Sequence, residues 1–171
     1  MSCSPPDKPA QPLDVCVTVM GRDHLRQVSA IERASFSAPW PEHFFLAHTL
    51  HPNSLPLVAL LPPAGLVVGH LIIWLAPGES LAQLQNLAVN EAFRRRGVAG
   101  RLLSHGLHLA KRRGAKRMRL EVRAGNRAAA LLYERFGFRQ TGLLPDYYAA
   151  EGEDALVMEL ALDDGRPAAG A

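Results

Sequence analysis

The 22 residues from Leu55 to Ala76 are almost continuously apolar, about the length a membrane-crossing helix needs. The segment "PPAG", Pro62 to Gly65, breaks that run in the middle, and His70 adds a polar group. A span does not tolerate such a break, whereas a tight turn requires one. "LPLVALL" and "LVVGHLIIWLA" are therefore expected to be two strands joined by a turn, with no membrane contact.

The flanking segments alternate in character. "VCVTVM" reads as a first strand, and "HLRQVSAIERASF" as a helix with Leu25, Val28 and Ile31 on one stripe. Ser37 to Pro41 ends it, and "EHFFLAHTL" is a second short helix. A strand near Leu81 to Val89 follows the hairpin. Ala99, Leu102, Leu103, Gly106, Leu107 and Ala110 then recur at the spacing of an amphipathic helix, which Gly114 stops. "AKRMRLEVR" alternates, with Met118, Leu120 and Val122 on one face and Arg117, Arg119, Glu121 and Arg123 on the other. Asn126 caps "RAAALLYERF", Gly137 closes it, and "FRQTGLL" and "DALVMEL" supply the last strands. The expected fold is α/β (α+β), a single domain over residues 13–161 with a mixed sheet of about six to seven strands and helices on both faces. Residues 1–12, with prolines and acids where a signal peptide needs an apolar core, are expected to be a disordered tail without export function. Residues 162–171 are expected to be loose.

Hydrophobic content of 48% against 20% charged residues excludes global disorder. The net charge is only +3, yet 14 of the 19 Lys and Arg lie between Arg94 and Arg139, with two acids among them, Glu121 and Glu134. That half of the chain should meet a polyanion. The basic residues lack interleaved aromatics and any zinc-finger or RNP-like pattern, so a polyphosphate cofactor is favoured over nucleic acid. Cys3 and Cys16 show no metal or redox spacing and read as free thiols of a cytoplasmic protein. His48 with His51, and His105 with His108, lack a third converging ligand, so no metal is expected.

"FRRRGVAGRLL", Phe93 to Leu103, lies where a strand gives way to a helix. Free backbone N–H groups at such a helix start carry about half a positive charge and form an anion site. Gly97, Ala99 and Gly100 allow close backbone approach. The pattern is neither a Walker loop nor the three-glycine dinucleotide fingerprint, and alone it recurs often by chance.

A second element narrows the reading. "LQNLAVNEAFRRRGVAGRLL" resembles the signature of the GNAT acetyltransferases, a Q/R-x-x-G-x-G/A loop for the pyrophosphate of acetyl-coenzyme A. Farther on, "NRAAALLYERFGF" resembles the superfamily's N-x-x-A-x-x-L-Y-E-x-x-G-F element. "LEVRAGN", "IERASFSAPW" and "DYYAAEGEDALVMEL" extend the resemblance to the RimI-type enzymes, which acetylate the N-terminal alanine of a small-subunit ribosomal protein. It covers Val15 to Leu160.

The resemblance implies acetyl-CoA as donor, a protein N-terminus as acceptor, and specific roles. Arg94, Arg95, Arg96, Gly97, Val98, Ala99 and Gly100 would cradle the pyrophosphate. Leu87, Ala88, Val89 and Asn126 would meet the pantetheine arm, Glu121 would be the base and Tyr133 the acid. Phe36 and Trp40, with Tyr147 and Tyr148, would line the acceptor groove.

Each residue also has a plain structural reading. Glu121 can pair with Arg119 or Arg123, Asn126 can simply cap a helix, and Tyr133 falls at the edge of the stripe Ala129, Leu132, Phe136. Phe36 and Trp40 can be packing between helices, and the paired tyrosines strand-edge aromatics. Leu144, Pro145 and Asp146 stand where the RimI-type enzymes often carry basic residues. A GNAT enzyme for a small amine or a lysine, and a noncatalytic coenzyme-A-binding module, are the alternatives.

Overall fold

Both halves of the apolar run fold as strands of one seven-stranded sheet in a computed structural model, which describes residues 11–149 and 151–162. The chain runs β1 (Cys16–Val19), α1 (Leu25–Ser35), α2 (Glu42–Leu50), β2 (Ser54–Leu61), β3 (Leu66–Leu75), β4 (Leu81–Val89), α3 (Val98–Arg112), β5 (Arg117–Arg123), α4 (Arg127–Arg135), β6 (Arg139–Tyr148) and β7 (Glu153–Ala161). Single 3-10 turns at Arg22–His24 and Glu91–Phe93 precede α1 and α3. The strand order is β1-β2-β3-β4-β5-β7-β6. β4 and β5 alone pair in parallel, because the α3 crossover joins them.

Helices cover both faces. On one, Val28 and Ile31 of α1 and Phe45 of α2 pack on Val58, Val67 and Ile72. On the other, Leu102 and Leu103 of α3 and Tyr133 of α4 join Leu71, Ile73, Met118 and Leu120. β2 and β3 are thus covered on both sides, which is why their sequences are continuous apolar runs rather than alternating ones. Gly106 sets how closely α3 sits, since a Cβ there would lie 2.6 Å from both Ile73 Cδ1 and Leu71 Cδ2.

Two features depart from the sequence expectation. β6 runs on through Tyr148, bent at Asp146, which takes a left-handed φ of 50° and donates its N–H to Asp154 Oδ1 at 2.9 Å. β4 carries a bulge at Gln85, where Ile72 pairs with Asn86 but the next residue, Ile73, pairs with Leu84. The β4–β5 ladder runs only from Leu81/Arg117 to Leu84/Leu120. Beyond it β4 stays with β3 and β5 with β7, and the two strands part.

Among the expected tail residues, Leu162 donates its N–H to Lys116 O at 2.8 Å and packs in the core, while Gln11 O receives Arg96 Nε at 3.4 Å. Residues 1–10, with Cys3 among them, and 163–171 lie outside the described residues.

Candidate active site

The start of α3 is an open donor site. Gly97 precedes the helix with φ 81°, and Arg95 is also left-handed at φ 60°. The first helical bond is Arg101 N–H to Gly97 O at 3.0 Å, so the N–H groups of Val98, Ala99 and Gly100 have no partner in the helix. A Cβ on Gly97 would find nothing within 4 Å, so the backbone is open to close approach at that residue. The arginines are partly braces. Arg94 donates Nε to Val89 O at 3.1 Å and Nη2 to Ser35 Oγ at 3.4 Å, pulling the loop onto the ends of β4 and α1.

Where β4 and β5 part, a cleft of about 400 Å³ opens through the sheet. Leu87, Val122, Ala129 and Tyr133 line it from the α4 side, and Glu32, Phe36, Trp40 and Glu121 from the α1 side, with Tyr147, Tyr148 and Glu151 at its lip. Asn126 borders it while capping α4 through Oδ1, which accepts the Ala129 N–H at 3.2 Å. Asn90 N–H bonds Val68 O on β3. By strand alternation, Leu87 and Val89 turn their backbone groups toward the gap. Ala88 differs from the expectation: it pairs with His70, and its side chain is buried beneath α1.

Glu121 accepts Arg119 Nε at 2.9 Å on Oε1 and Gln83 Nε2 at 3.1 Å on Oε2. The expected pairing with an arginine therefore exists, and the carboxylate still faces the cleft, because each oxygen keeps a further lone pair. Arg123 turns elsewhere, to Glu151 at 3.0 Å, Glu153 at 3.5 Å and the Tyr148 ring at 4.3 Å. Ser37 also donates to Glu151, so the loop after α1 and the β6–β7 turn are strapped together over the lip.

Tyr133 departs from its place at the stripe's edge. It is 6% exposed, the one buried residue of α4, with its ring 5.7 Å from Phe138. Helix periodicity alone could not show this, because what covers Tyr133 is the neighbouring sheet. Burial first, then the nearby Tyr148, pushes its phenol far above the usual tyrosine range. The neutral phenol is thereby favoured, with a hydroxyl proton it can offer into the cleft. Tyr148 is also raised by burial, with Arg123 opposing.

The cleft thus gathers Glu121, Tyr133, Asn126, Leu87, Phe36, Trp40, Tyr147 and Tyr148, while Arg94 to Gly100 at the start of α3 are not among its lining residues. Glu32, Asn86 and the bulge at Gln85 escaped the sequence reading. A glutamate inside an apolar helix stripe was their one visible signal. Among the described residues no three His, Cys, Asp or Glu side chains converge as a metal site, and no helix is long and apolar enough to cross a membrane.

A strand pair split over a bulge, unbonded N–H groups at the start of the following helix, and a carboxylate and a phenol lining one cleft are an arrangement suited to acyl transfer. Residues 25–138 match the sequence profile described as "Acetyltransferase (GNAT) family", and the chain belongs to that family. The ribosomal protein bS18-alanine N-acetyltransferase of Salmonella typhimurium is 32% identical over 147 residues, covering 84% of this chain and 95% of the relative. An N-alpha-acetyltransferase of Saccharolobus solfataricus is 33% identical, covering 80% and 86%. The crystal structure of the ribosomal-protein-S18-alanine N-acetyltransferase from Escherichia coli superposes with a TM-score of 0.79 at 28% identity, over 90% of this chain and 97% of that one.

Proposed function

We propose that this protein transfers the acetyl group of acetyl-CoA to the N-terminal α-amine of a protein, in particular the N-terminal alanine of a small-subunit ribosomal protein in the cytoplasm. The observation that carries the chemistry is the parted β4–β5 pair, which places Glu121 and Tyr133 in one cleft. Relatives named for alanine and N-alpha acetylation, matched over most of their length, support the acceptor.

The cradle suits a pyrophosphate: three helix-start N–H groups, clear space over Gly97, and cationic neighbours. The cleft gives the acyl arm a path between the strands toward Glu121. The amine nitrogen attacks the thioester carbonyl carbon and the carbon–sulfur bond breaks. Glu121 takes the amine proton, the Tyr133 hydroxyl gives its own to the departing thiolate, and the proton on Glu121 returns to the phenolate through solvent, so the net proton passes from amine to thiol. An α-amine titrates about 2.5 units below a lysine, a difference of roughly 3.4 kcal/mol in deprotonation. A modest carboxylate base is enough for the first.

A pH series with Glu121→Gln tests this, on one peptide beginning with alanine and on the same peptide blocked at its N-terminus with an internal lysine free. The variant should bind acetyl-CoA normally and acetylate the first peptide slowly near pH 7. Its deficit should shrink as pH passes the α-amine range near ~8. Preference for the blocked peptide would reject the N-terminal reading. Wild-type rates at pH 7 in the variant would reduce Glu121 to a partner of Arg119.

A further inference from the structure

Glu32 of α1 is 1% exposed and surrounded by the apolar cluster that joins α1 and α2 to the sheet. A carboxylate in such a place is costly unless its oxygens are bonded, and here three elements supply the bonds. Oε1 accepts the Trp40 backbone N–H at 3.0 Å and Asn86 Nδ2 at 3.0 Å. Oε2 faces His70 Nε2 at 3.2 Å, and the same nitrogen lies 3.0 Å from Asn86 Oδ1. With two acceptors in front of it, Nε2 must carry the hydrogen. Asn86 gives its amide to Glu32, so only its oxygen remains for His70. Every orientation in the network is therefore determined.

Stability alone does not call for this arrangement, because well-packed apolar residues often serve as well as a buried ionic pair. Among the described residues, His70 Nδ1 is buried and meets no protein hydrogen-bond partner. What the network holds supplies a reason for the arrangement. Trp40 is a wall of the cleft, Asn86 is the first residue past the bulge, and both line the cleft together with Glu32 itself.

We propose that Glu32, backed by His70 and Asn86, is a positioning residue that sets the acceptor wall by holding Trp40 against the bulged end of β4. The identity of the acceptor in this inference rests on the N-terminal acetyltransferase reading. Glu32 takes no part in the proton transfers, and its bonds do not reach the cradle at α3, so its removal should act on the acceptor alone.

The chain has two tryptophans, so Trp74→Phe leaves Trp40 as the sole indole reporter. In that background, Glu32→Ala and Glu32→Gln are compared for thermal stability, Trp40 emission, and KM values for acetyl-CoA and for a peptide beginning with alanine. Glu32→Ala should raise the acceptor KM roughly tenfold, the scale of a lost charged hydrogen bond, and shift Trp40 emission to the red. The acetyl-CoA KM should stay within about twofold. Glu32→Gln keeps the acceptor oxygen for Trp40 and Asn86 and should recover most of the loss, leaving a rise of about threefold. A folded Glu32→Ala protein with an unchanged acceptor KM, or with both KM values raised equally, overturns the proposal. If Glu32→Ala does not fold, an unchanged KM and emission in Glu32→Gln overturn it. Should the wild-type protein not acetylate the peptide, the N-terminal reading fails instead. Trp40 emission of the free variants then still decides the network, and an unshifted Glu32→Ala spectrum overturns it.

Discussion

The helix start at α3 and the cleft wall around Trp40 are built in different ways. The helix start is local and made of main chain: within the single stretch Arg94 to Gly100 lie its donors, its left-handed residues and its braces. The wall is assembled from side chains of α1, the loop to α2, β3 and β4, with Asn86 reaching Glu32 across 54 residues of sequence. The first kind of structure can be written once into a short stretch. The second is distributed, so single substitutions in several elements can alter it.

The sharpest break in that comparison comes where the two halves meet. Tyr133→Phe keeps the buried ring but removes the hydroxyl, and turnover should fall by about 10² to 10⁴ while calorimetric acetyl-CoA affinity is unchanged. Wild-type turnover would return Tyr133 to the core. On the cradle side, Gly97→Val should weaken acetyl-CoA binding roughly tenfold or more, since its methyl groups enter the space over the helix start. The left-handed φ of 81° adds a stability loss of about 1–2 kcal/mol, visible as a lower melting temperature. A folded Gly97→Val protein with full affinity would place the pyrophosphate elsewhere.

The smallest effect belongs to the strap over the lip. Hydrogen bonds from Ser37, and then from Arg123, hold the Glu151 carboxyl below the ordinary range. A carboxylate so depressed supports the closed strap above its unfolded pKa and loses that support as pH falls through the folded value. Glu151→Gln should therefore change the acceptor KM by less than about threefold near neutrality, and remove whatever rise wild type shows on acidification. Steady-state assays from neutral to acid pH check this, and an acid-dependent KM that persists in the variant would assign it to another group.

The same division governs what was legible in the letters. The element order, the helices on both faces and the Asn126 cap follow from periodicity and turn chemistry, which are local. The open N–H groups at the start of α3 were visible because Gly97 lies beside its own helix. The roles of Glu121 and Tyr133 came only through resemblance, since an acid between arginines and a tyrosine beside a stripe each have ordinary explanations. The burial of Tyr133 and the contacts of Glu32 depend on partners tens of residues away, and no window of sequence contains both sides.

The bulge at Gln85 also acts as a change of parity. Ala82 and Leu84 belong to the core beneath α3, yet Asn86 and Ala88, at the same even numbers, face α1. One added residue reverses the count for everything after it. Without it, Asn86 would be driven among leucines and Leu87 would point at Glu32, so both faces would be wrong from a single miscount. β4 therefore spells two half-strands in opposite phase, and the place where its reading frame slips is where the sheet opens.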